Sequence, residues 1–409
     1  MANCTLSARG AEFPASPIRA LASAARAREA SGITVHYLNI GQPDIPTPEP
    51  MMQAYRNFDD TVLAYAPSDG FPELRTKLAS WYTTIGGMRR SIDGDDIVVT
   101  TGGSEALLFA MAAITDPGDS ILVCEPYYTN YSGYARLLGI NTKPITCLAE
   151  ENWAVDINRI ADAIDETTRA IVIPTPGNPT GRVLTVEELE ALVALCRERG
   201  IFFISDEVYR ELVYDGPRGS KAPSLLDIDG SDELGVVIDS ASKRWSACGA
   251  RMGWLITRNT ALREAALRFG QARLSPATVD QYAIIAALDI PEDWYCDMVD
   301  EYRHRRDTLV AALQAQGLDV TTPQGAFYLA VPLPLEDANA FCHWLITEFE
   351  LNGETTCLAP LSGFYATPGA GQNEVRMTYV LEAQKLQTCA AILGAAIKAW
   401  PAACAAATA

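Results

Sequence analysis

The residues with the clearest chemical potential are Ser240, Ser242 and Lys243, with Arg251 eight positions after the lysine. The apolar run 236–238 before them predicts a buried strand whose end delivers these side chains to a loop. An amine that loses solvation favours its neutral form and becomes a nucleophile toward carbonyl groups. Serine hydroxyls and an arginine bind phosphate oxygens. The cluster therefore suits a ligand that carries both an aldehyde and a phosphate, and pyridoxal phosphate is such a ligand.

A plainer interpretation of the same cluster is a solvated surface lysine. Short motifs of serine and lysine occur in many unrelated chains, so this one does not decide the matter by itself. The residues that follow the other predicted strands have to decide it.

A regular alternation of strands and helices surrounds the cluster. Helix 186–199 shows the pattern best, because Thr185 and Glu188 form a capping box and Gly200 ends the helix. Continuous apolar strands that alternate with helices indicate a mostly parallel sheet covered on both faces. The fold class is therefore α/β. The predicted strands are 97–101, 120–124, 142–146, 170–174, 201–205, 236–239 and 252–257.

The pattern changes in the last third of the chain. One long helical region is predicted from 258 to 288 and another from 291 to 316, followed by strands at 325–329 and 375–380 and by helices at 338–349 and 384–400. We therefore expect a large domain over residues 49–290 and a smaller α+β domain over 291–409. Residues 1–48 are expected to form an N-terminal arm that contributes to the small domain.

Composition excludes several classes of function. The 409 residues include 32 Lys plus Arg against 51 Asp plus Glu, a formal charge of −19, which argues against nucleic acid or an anionic membrane as partner. The ten cysteines form no Cys-x-x-Cys pair and the three histidines show no metal-ligand spacing. No apolar run reaches transmembrane length and no secretory signal is present, so we expect a cytoplasmic protein without a metal.

Polar residues follow several predicted strands directly. In a parallel sheet the carboxyl ends of the strands form the ligand-binding edge, so these residues are expected to meet there. Residues 103–105, Gly-Ser-Glu, follow the first strand and offer backbone N–H groups at a helix N-terminus, which suits a phosphate. Asn178 follows the strand at 170–174, and Asp206 and Tyr209 follow the strand at 201–205. Taken singly, Asn178 would be a turn former and Asp206 a helix cap.

These motifs, in this order and spacing, resemble the fold-type-I pyridoxal-phosphate aminotransferases, the aspartate aminotransferase family of classes I and II. The resemblance runs from about residue 15 to the end of the chain. It implies that Lys243 forms the Schiff base with the cofactor and then moves a proton between substrate and cofactor. It also implies that Asp206 pairs with the pyridine nitrogen, and that Tyr209 and Asn178 bond the phenolic oxygen of the ring.

The resemblance implies the remaining contacts as well. Tyr128 is implied to stack on the pyridine ring, and Tyr65 to reach the phosphate from a neighbouring subunit, which implies a homodimer with shared active sites. Arg376 is implied to bind the substrate α-carboxylate beside Asn178, with the backbone of Gly41 beneath it. The residues implied to bind the phosphate or to lie at its site are Gly103, Ser104, Glu105, Ser240, Ser242 and Arg251.

The resemblance leaves the identity of the two substrates open. An amino acid and a 2-oxo acid are implied, with aspartate as the leading donor and 2-oxoglutarate as the acceptor in a ping-pong cycle. Arg19 and Arg273 are candidates for reading a side-chain carboxylate, whereas Phe364 and Tyr365 would line a pocket for an apolar or aromatic side chain. Arg244, directly after the lysine, is expected to bring extra charge toward the phosphate.

Alternatives to aspartate transamination stay open on the sequence. An aromatic or alanine-type aminotransferase would keep the reaction and change the donor. A C–S lyase, a decarboxylase or an ACC-synthase-like, cyclopropane-forming enzyme would keep the cofactor and change the outcome. A non-catalytic, aminotransferase-like half of a transcription regulator is disfavoured by the strong negative charge and the lack of a basic extension.

Overall fold

The computed structural model describes residues 4–407 of the chain. The helices are α1 (Ala8–Glu12), α2 (Ala22–Ala30), α3 (Glu49–Arg56), α4 (Pro72–Thr83), α5 (Gly102–Ile114), α6 (Asn130–Leu138), α7 (Ile157–Ala163), α8 (Val186–Arg199), α9 (Ala241–Arg244), α10 (Thr260–Arg273), α11 (Thr278–Ala287), α12 (Glu292–Ala315), α13 (Ala338–Thr347) and α14 (Ala383–Ala407). The strands are β1 (Thr34–Tyr37), β2 (Ile97–Thr100), β3 (Ser120–Glu125), β4 (Asn141–Thr146), β5 (Thr168–Pro174), β6 (Phe202–Asp206), β7 (Gly235–Ser240), β8 (Gly253–Ile256), β9 (Tyr328–Pro332), β10 (Glu354–Cys357), β11 (Ala359–Pro360) and β12 (Glu374–Thr378).

A seven-stranded sheet in the order β2-β8-β7-β6-β5-β3-β4 forms the centre of the larger part of the molecule. The pairs from β7 through β6, β5 and β3 to β4 are parallel, and β8 runs antiparallel to both of its neighbours. The predicted mostly parallel α/β sheet is thereby confirmed. Its strands agree with the predicted ones to within two residues at each end.

The central sheet is buried on both faces, which explains why its strands are continuously apolar. Along β5, Ile171 and Ile173 belong to one hydrophobic cluster, while Ala170 and Val172 belong to another. Successive side chains of a strand point to opposite faces, so each face needs its own apolar set. Helices cover both faces, and the carboxyl ends of the parallel strands are left to carry the polar residues.

A smaller antiparallel sheet, in the order β11-β12-β9, packs among the C-terminal helices around a separate hydrophobic cluster. The N-terminal segment joins this part of the molecule, because β1 pairs in parallel with β10. This pairing fits an N-terminal arm, although the division into 1–48, 49–290 and 291–409 stays a prediction. Strand β1 was not predicted from the sequence, because it has only four residues and is only partly buried.

The long helix expected over 258–288 is two helices, α10 and α11. Leu274 has a left-handed φ of 90° and Pro276 follows, so the backbone turns sharply between them. The strand expected at 325–329 begins only at Tyr328, because Ala326 also has a positive φ. No described helix is both long enough and apolar enough to cross a membrane.

Candidate active site

A cleft of about 590 Å³ lies at the carboxyl ends of the parallel strands. Most of the residues that the sequence singled out line it, although they come from distant parts of the chain. The predicted residues at the cleft are Arg19, Gly41, Gly103, Ser104, Tyr128, Asn178, Asp206, Tyr209, Ser240, Ser242, Lys243, Arg251 and Arg376.

Lys243 enters the cleft from the short helix α9, directly after β7. Ser240 caps this helix, because its hydroxyl accepts a hydrogen bond from the Ser242 backbone N–H at 3.3 Å. The Lys243 Nζ donates to the carbonyl oxygen of Gly41 at 2.7 Å and lies 3.6 Å from the sulfur of Cys248. No carboxylate among residues 4–407 forms an ion pair with it, so the amine is held in place by neutral partners.

Behind the lysine, the side chain of Arg244 turns into the core and away from the cleft. It is 1 % exposed, pairs with Glu211 at 3.0 Å and with Asp239, and lies 4.3 Å from the ring centroid of Trp81. The expectation that Arg244 brings charge to the phosphate is therefore wrong. Asp239 also accepts the backbone N–H of Ser240 at 2.6 Å, so the buried ion network supports the loop that carries the lysine.

We expect Arg244→Met to destabilise the protein by about 3–5 kcal/mol, because it leaves two buried carboxylates without their cation. The measurement is chemical denaturation followed by fluorescence. Arg268→Met is the matched control, since its ion pair with Glu264 is exposed and should be worth less than about 1 kcal/mol. Equal stability losses for the two variants would contradict the structural role of Arg244.

Asp206 ends β6 and presents a carboxylate that is only partly satisfied. The Tyr131 hydroxyl donates to its Oδ2 at 2.8 Å, whereas its buried Oδ1 has no hydrogen-bond partner in the described structure. Burial raises the pKa of Asp206 to about 6, and the nearby Lys243 opposes that shift. A buried, half-satisfied carboxylate of this kind fits a protonated nitrogen of a ligand.

The start of α5 and the guanidinium of Arg251 form a site for an anion. Backbone N–H groups at the first turn of this 13-residue helix point out of its N-terminus, where they favour negative charge. Gly102 has a φ of +76°, and a Cβ placed there would lie 2.6 Å from the Arg251 Nη2. The glycine therefore lets the arginine reach the helix start, beside Ser104 and Ser240.

Glu105 has its side chain engaged outside this anion site. Its carboxylate accepts the Thr101 backbone N–H at 2.7 Å and pairs with Arg273 at 2.6 Å. Neither Glu105 nor Arg273 lines the cleft. The predicted contact of Glu105 with a cofactor is therefore restricted to its backbone, and Arg273 is already neutralised by a carboxylate.

Arg376 lies at the centre of β12, 1 % exposed, and its head faces the cleft. Its guanidinium donates to the Asn178 Oδ1 at 3.0 Å and to the Asn39 carbonyl oxygen at 2.5 Å. Burial lowers the pKa of Arg376. No described carboxylate pairs with it, so a buried cation remains available for an anionic ligand.

Several cleft residues were missed by the sequence analysis. The Tyr328 hydroxyl lies 2.7 Å from that of Tyr209, and its ring lies 4.6 Å from the Arg376 guanidinium carbon. Cys248 approaches the lysine, and Tyr131 bonds Asp206. Tyr131 follows Tyr128 by three residues, so helical spacing offered a signal for it. Nothing in the sequence pointed to Tyr328.

Other predicted residues lie outside the cleft. Tyr65 is 79 % exposed and does not line it, so its contact with a neighbouring subunit stays a prediction. Phe364 is buried with its ring 5.1 Å from the Arg376 guanidinium carbon, and the Tyr365 hydroxyl donates to Glu374 at 2.8 Å. Neither of these two aromatic residues forms part of the cleft wall as the structure describes it.

Comparison with known proteins agrees with this geometry. A family model described as aminotransferase class I and II matches residues 34–392. An aspartate/prephenate aminotransferase of Thermus thermophilus is 35 % identical over 302 residues, which cover 73 % of this chain and 76 % of the relative. The solved structure of Thermus thermophilus aspartate aminotransferase with maleate superposes with a TM-score of 0.86 at 29 % identity, covering 96 % of this chain and 100 % of that one. An alanine aminotransferase from Pyrococcus furiosus gives a TM-score of 0.85 at 29 % identity, covering 96 % and 100 %.

Proposed function

The chain belongs to the class I and II aminotransferase family, and from this we propose that it binds pyridoxal phosphate and transfers the amino group of aspartate to 2-oxoglutarate. The cycle proposed is ping-pong, in which the donor leaves as a 2-oxo acid before the acceptor binds. An aspartate donor is supported by the two Thermus thermophilus relatives, an aspartate/prephenate aminotransferase and an aspartate aminotransferase solved with maleate, a dicarboxylate.

The observation that carries the proposal is the meeting of three incompletely paired groups in one cleft. These groups are the amine of Lys243, the carboxylate of Asp206 with its orphaned Oδ1, and the guanidinium of Arg376. Pyridoxal phosphate offers an aldehyde and a basic ring nitrogen to the first two, and a substrate offers its carboxylate to the third. The anion site of Arg251 and the α5 N-terminus fits the phosphate.

Each residue then has a defined task. When bound, pyridoxal phosphate supplies an electron-accepting ring that stabilises negative charge on the substrate Cα. Lys243 binds the aldehyde and, once released by substrate, moves a proton at the Cα. Asp206, oriented by Tyr131, keeps a proton on the ring nitrogen. Arg376 orients the substrate through its α-carboxylate.

In this proposal, Asn178 and Tyr209 bind the phenolic oxygen of the ring. The Asn178 Oδ1 accepts from Arg376, which leaves the amide N–H₂ to donate elsewhere. The Tyr209 hydroxyl is paired with that of Tyr328, and burial raises the pKa of Tyr209, so it remains a donor at neutral pH. The proposal thereby gives a partner to each of these polar groups.

We also propose a homodimer and a cytoplasmic location. The exposed ring of Tyr65, with exposed Val62 and Leu63 beside it, supports a surface that another subunit covers. The nine cysteines from Cys4 to Cys389 are free, which supports a reducing compartment.

The test of the proposed function is a survey of amino donors with 2-oxoglutarate as acceptor. We expect aspartate to give the highest kcat/KM, and double-reciprocal plots at several acceptor concentrations to be parallel. Alanine, tyrosine and leucine are the comparison donors. A higher kcat/KM with one of these would keep the aminotransferase and overturn aspartate as its donor, whereas release of ammonia without amino transfer would overturn the aminotransferase itself.

A further inference from the structure

A thiol lies beside the lysine amine, and the proposed reaction gives it no task. The sulfur of Cys248 is 3.6 Å from the Nζ of Lys243, and both residues line the cleft. A thiol is a target for oxidants, and once it is oxidised its sulfur reacts with a nearby nitrogen. The cleft therefore contains the two reactants of a covalent bond at contact distance.

The backbone between the two residues holds the thiol against the amine. Lys243 belongs to α9, and Cys248 begins a 3₁₀ turn, Cys248–Ala250. Between them Ser246 has a left-handed φ of 50°, which turns the chain back toward the lysine. The Cys248 thiol donates to the carbonyl oxygen of Ser242 at 3.2 Å. Because this contact fixes the sulfur, rotation about the flexible lysine stem is enough to bring the Nζ to it.

Cys248 is also accessible to a small oxidant, unlike most of the cysteines. Of the nine cysteines from Cys4 to Cys389, six are buried, whereas Cys4, Cys124 and Cys248 are not. A hydrogen bond with the Cys147 thiol raises the pKa of Cys124, which makes that sulfur a poor nucleophile toward a peroxide. Neither Cys4 nor Cys124 lines the cleft. An oxidant that enters the cleft therefore meets the thiol of Cys248.

We propose that hydrogen peroxide converts this pair into a reversible covalent cross-link between Cys248 and Lys243. The peroxide oxidises the thiol to a sulfenic acid and is itself reduced to water. The neutral amine then attacks the sulfur, an S–N bond forms as the S–O bond breaks, and the hydroxyl group leaves as water with one proton from the amine. Two thiol groups of a reductant reverse the cross-link: they restore the cysteine and the amine and become a disulfide.

The cross-link removes the amine that the proposed function assigns to the cofactor aldehyde, so it inactivates the enzyme. This consequence rests on the proposed function, whereas the cross-link itself requires only the peroxide and the two side chains. The S–N bond also prevents further oxidation of the sulfur to a sulfinic acid, which thiol reductants do not reverse. The inactivation is therefore reversible, and a cofactor bound to Lys243 protects against it.

The test is peptide mass spectrometry of the full-length protein after treatment with hydrogen peroxide. Trypsin does not cleave after a modified lysine, so the peptide that ends at Arg244 should stay joined to residues 245–251. We expect the joined species to be lighter than its two parts by two hydrogen atoms, and dithiothreitol to separate it. With pyridoxal phosphate at about a hundred times its dissociation constant, the cross-link should form at least about tenfold more slowly.

Three variants identify the reacting groups. Cys248→Ser should give no joined peptide. Cys124→Ser is the matched control, because Cys124 is also partly exposed but lies outside the cleft, and it should cross-link as wild type does. Lys243→Ala leaves the sulfenic acid without an amine, so we expect Cys248 to reach the sulfinic acid and dithiothreitol not to reverse it.

Two results would overturn the cross-link. The first is recovery of Cys248 from peroxide-treated, cofactor-free wild type as a free thiol or a sulfinic acid, with no joined peptide. The second is a loss of two hydrogen atoms that maps only to a disulfide between Cys124 and Cys147. A joined peptide that forms as fast with saturating pyridoxal phosphate as without it would support the cross-link and overturn the assignment of Lys243 to the cofactor.

Discussion

Lys243→Ala is expected to lower the rate of amino transfer by at least about 10⁴-fold, because it removes both the nucleophile and the group that moves the Cα proton. The cofactor should still bind noncovalently, since Asp206, Arg251 and the start of α5 remain. After borohydride reduction of wild type, peptide mass spectrometry should locate the phosphopyridoxyl group on Lys243. Steady-state kinetics of the variant gives the loss of rate.

The matched control for that experiment is Lys221→Ala. Lys221 is also largely shielded, with its Nζ 3.1 Å from Glu292, but it lies outside the cleft. This control should retain both the label and the activity. A label on another lysine, or substantial turnover by a clean preparation of Lys243→Ala, would show that the amine has been assigned wrongly.

Asp206→Asn is expected to lower the activity without lowering the stability of the fold. The amide cannot hold a proton on the ring nitrogen, so we expect amino transfer to fall by about a thousandfold, as when a preorganised electrostatic partner is removed. The Tyr131 hydroxyl can still donate to the amide oxygen. Steady-state kinetics with saturating cofactor measures the loss, and near-normal rates would refute the role of Asp206.

The same substitution should stabilise the cofactor-free protein at alkaline pH. The pKa of Asp206 is raised to about 6 in the folded protein, above roughly 3.9 for the unfolded chain, so the cost of ionising it grows as pH rises from about 4 to about 6 and is constant above that. The full cost above that pH is about 3 kcal/mol. Thermal unfolding at about pH 4.5 and about pH 8, below and above the raised pKa, should show a clearly larger advantage of Asp206→Asn at the higher pH. A variant less stable than wild type at both would contradict this account.

Much of the large sheet was predictable because its burial on two faces leaves a strong signal. Strands β5, β6 and β7 are continuous apolar runs, and the polar residue that ends or follows each of them reaches the cleft, as Asn178, Asp206 and Lys243 show. Residues at the carboxyl ends of parallel strands converge whatever their distance along the chain. This rule accounts for the meeting of Asn178, Asp206 and Lys243 at one edge of the central sheet.

The residues that were missed depend on contacts that no local pattern encodes. Tyr328 meets Tyr209 from 119 positions away, and Asn39, which had no predicted role, meets the predicted Arg376 from 337 positions away. The direction of Arg244 depends on Asp239, Glu211 and the rings that surround it, which only the assembled core brings together. Spacing predicts which element a side chain belongs to, whereas its partners are set by tertiary packing.

A single half-reaction with aspartate and no acceptor distinguishes amino transfer from the other reactions that pyridoxal phosphate supports. We expect one equivalent of 2-oxo acid per subunit, conversion of the bound cofactor to its amino form, and no free ammonia or carbon dioxide from the enzyme-catalysed step. Adding 2-oxoglutarate should then return the cofactor to its starting form and yield one equivalent of glutamate. Continuous release of ammonia from aspartate alone, with the cofactor unchanged, would show that the cleft catalyses elimination and would contradict amino transfer.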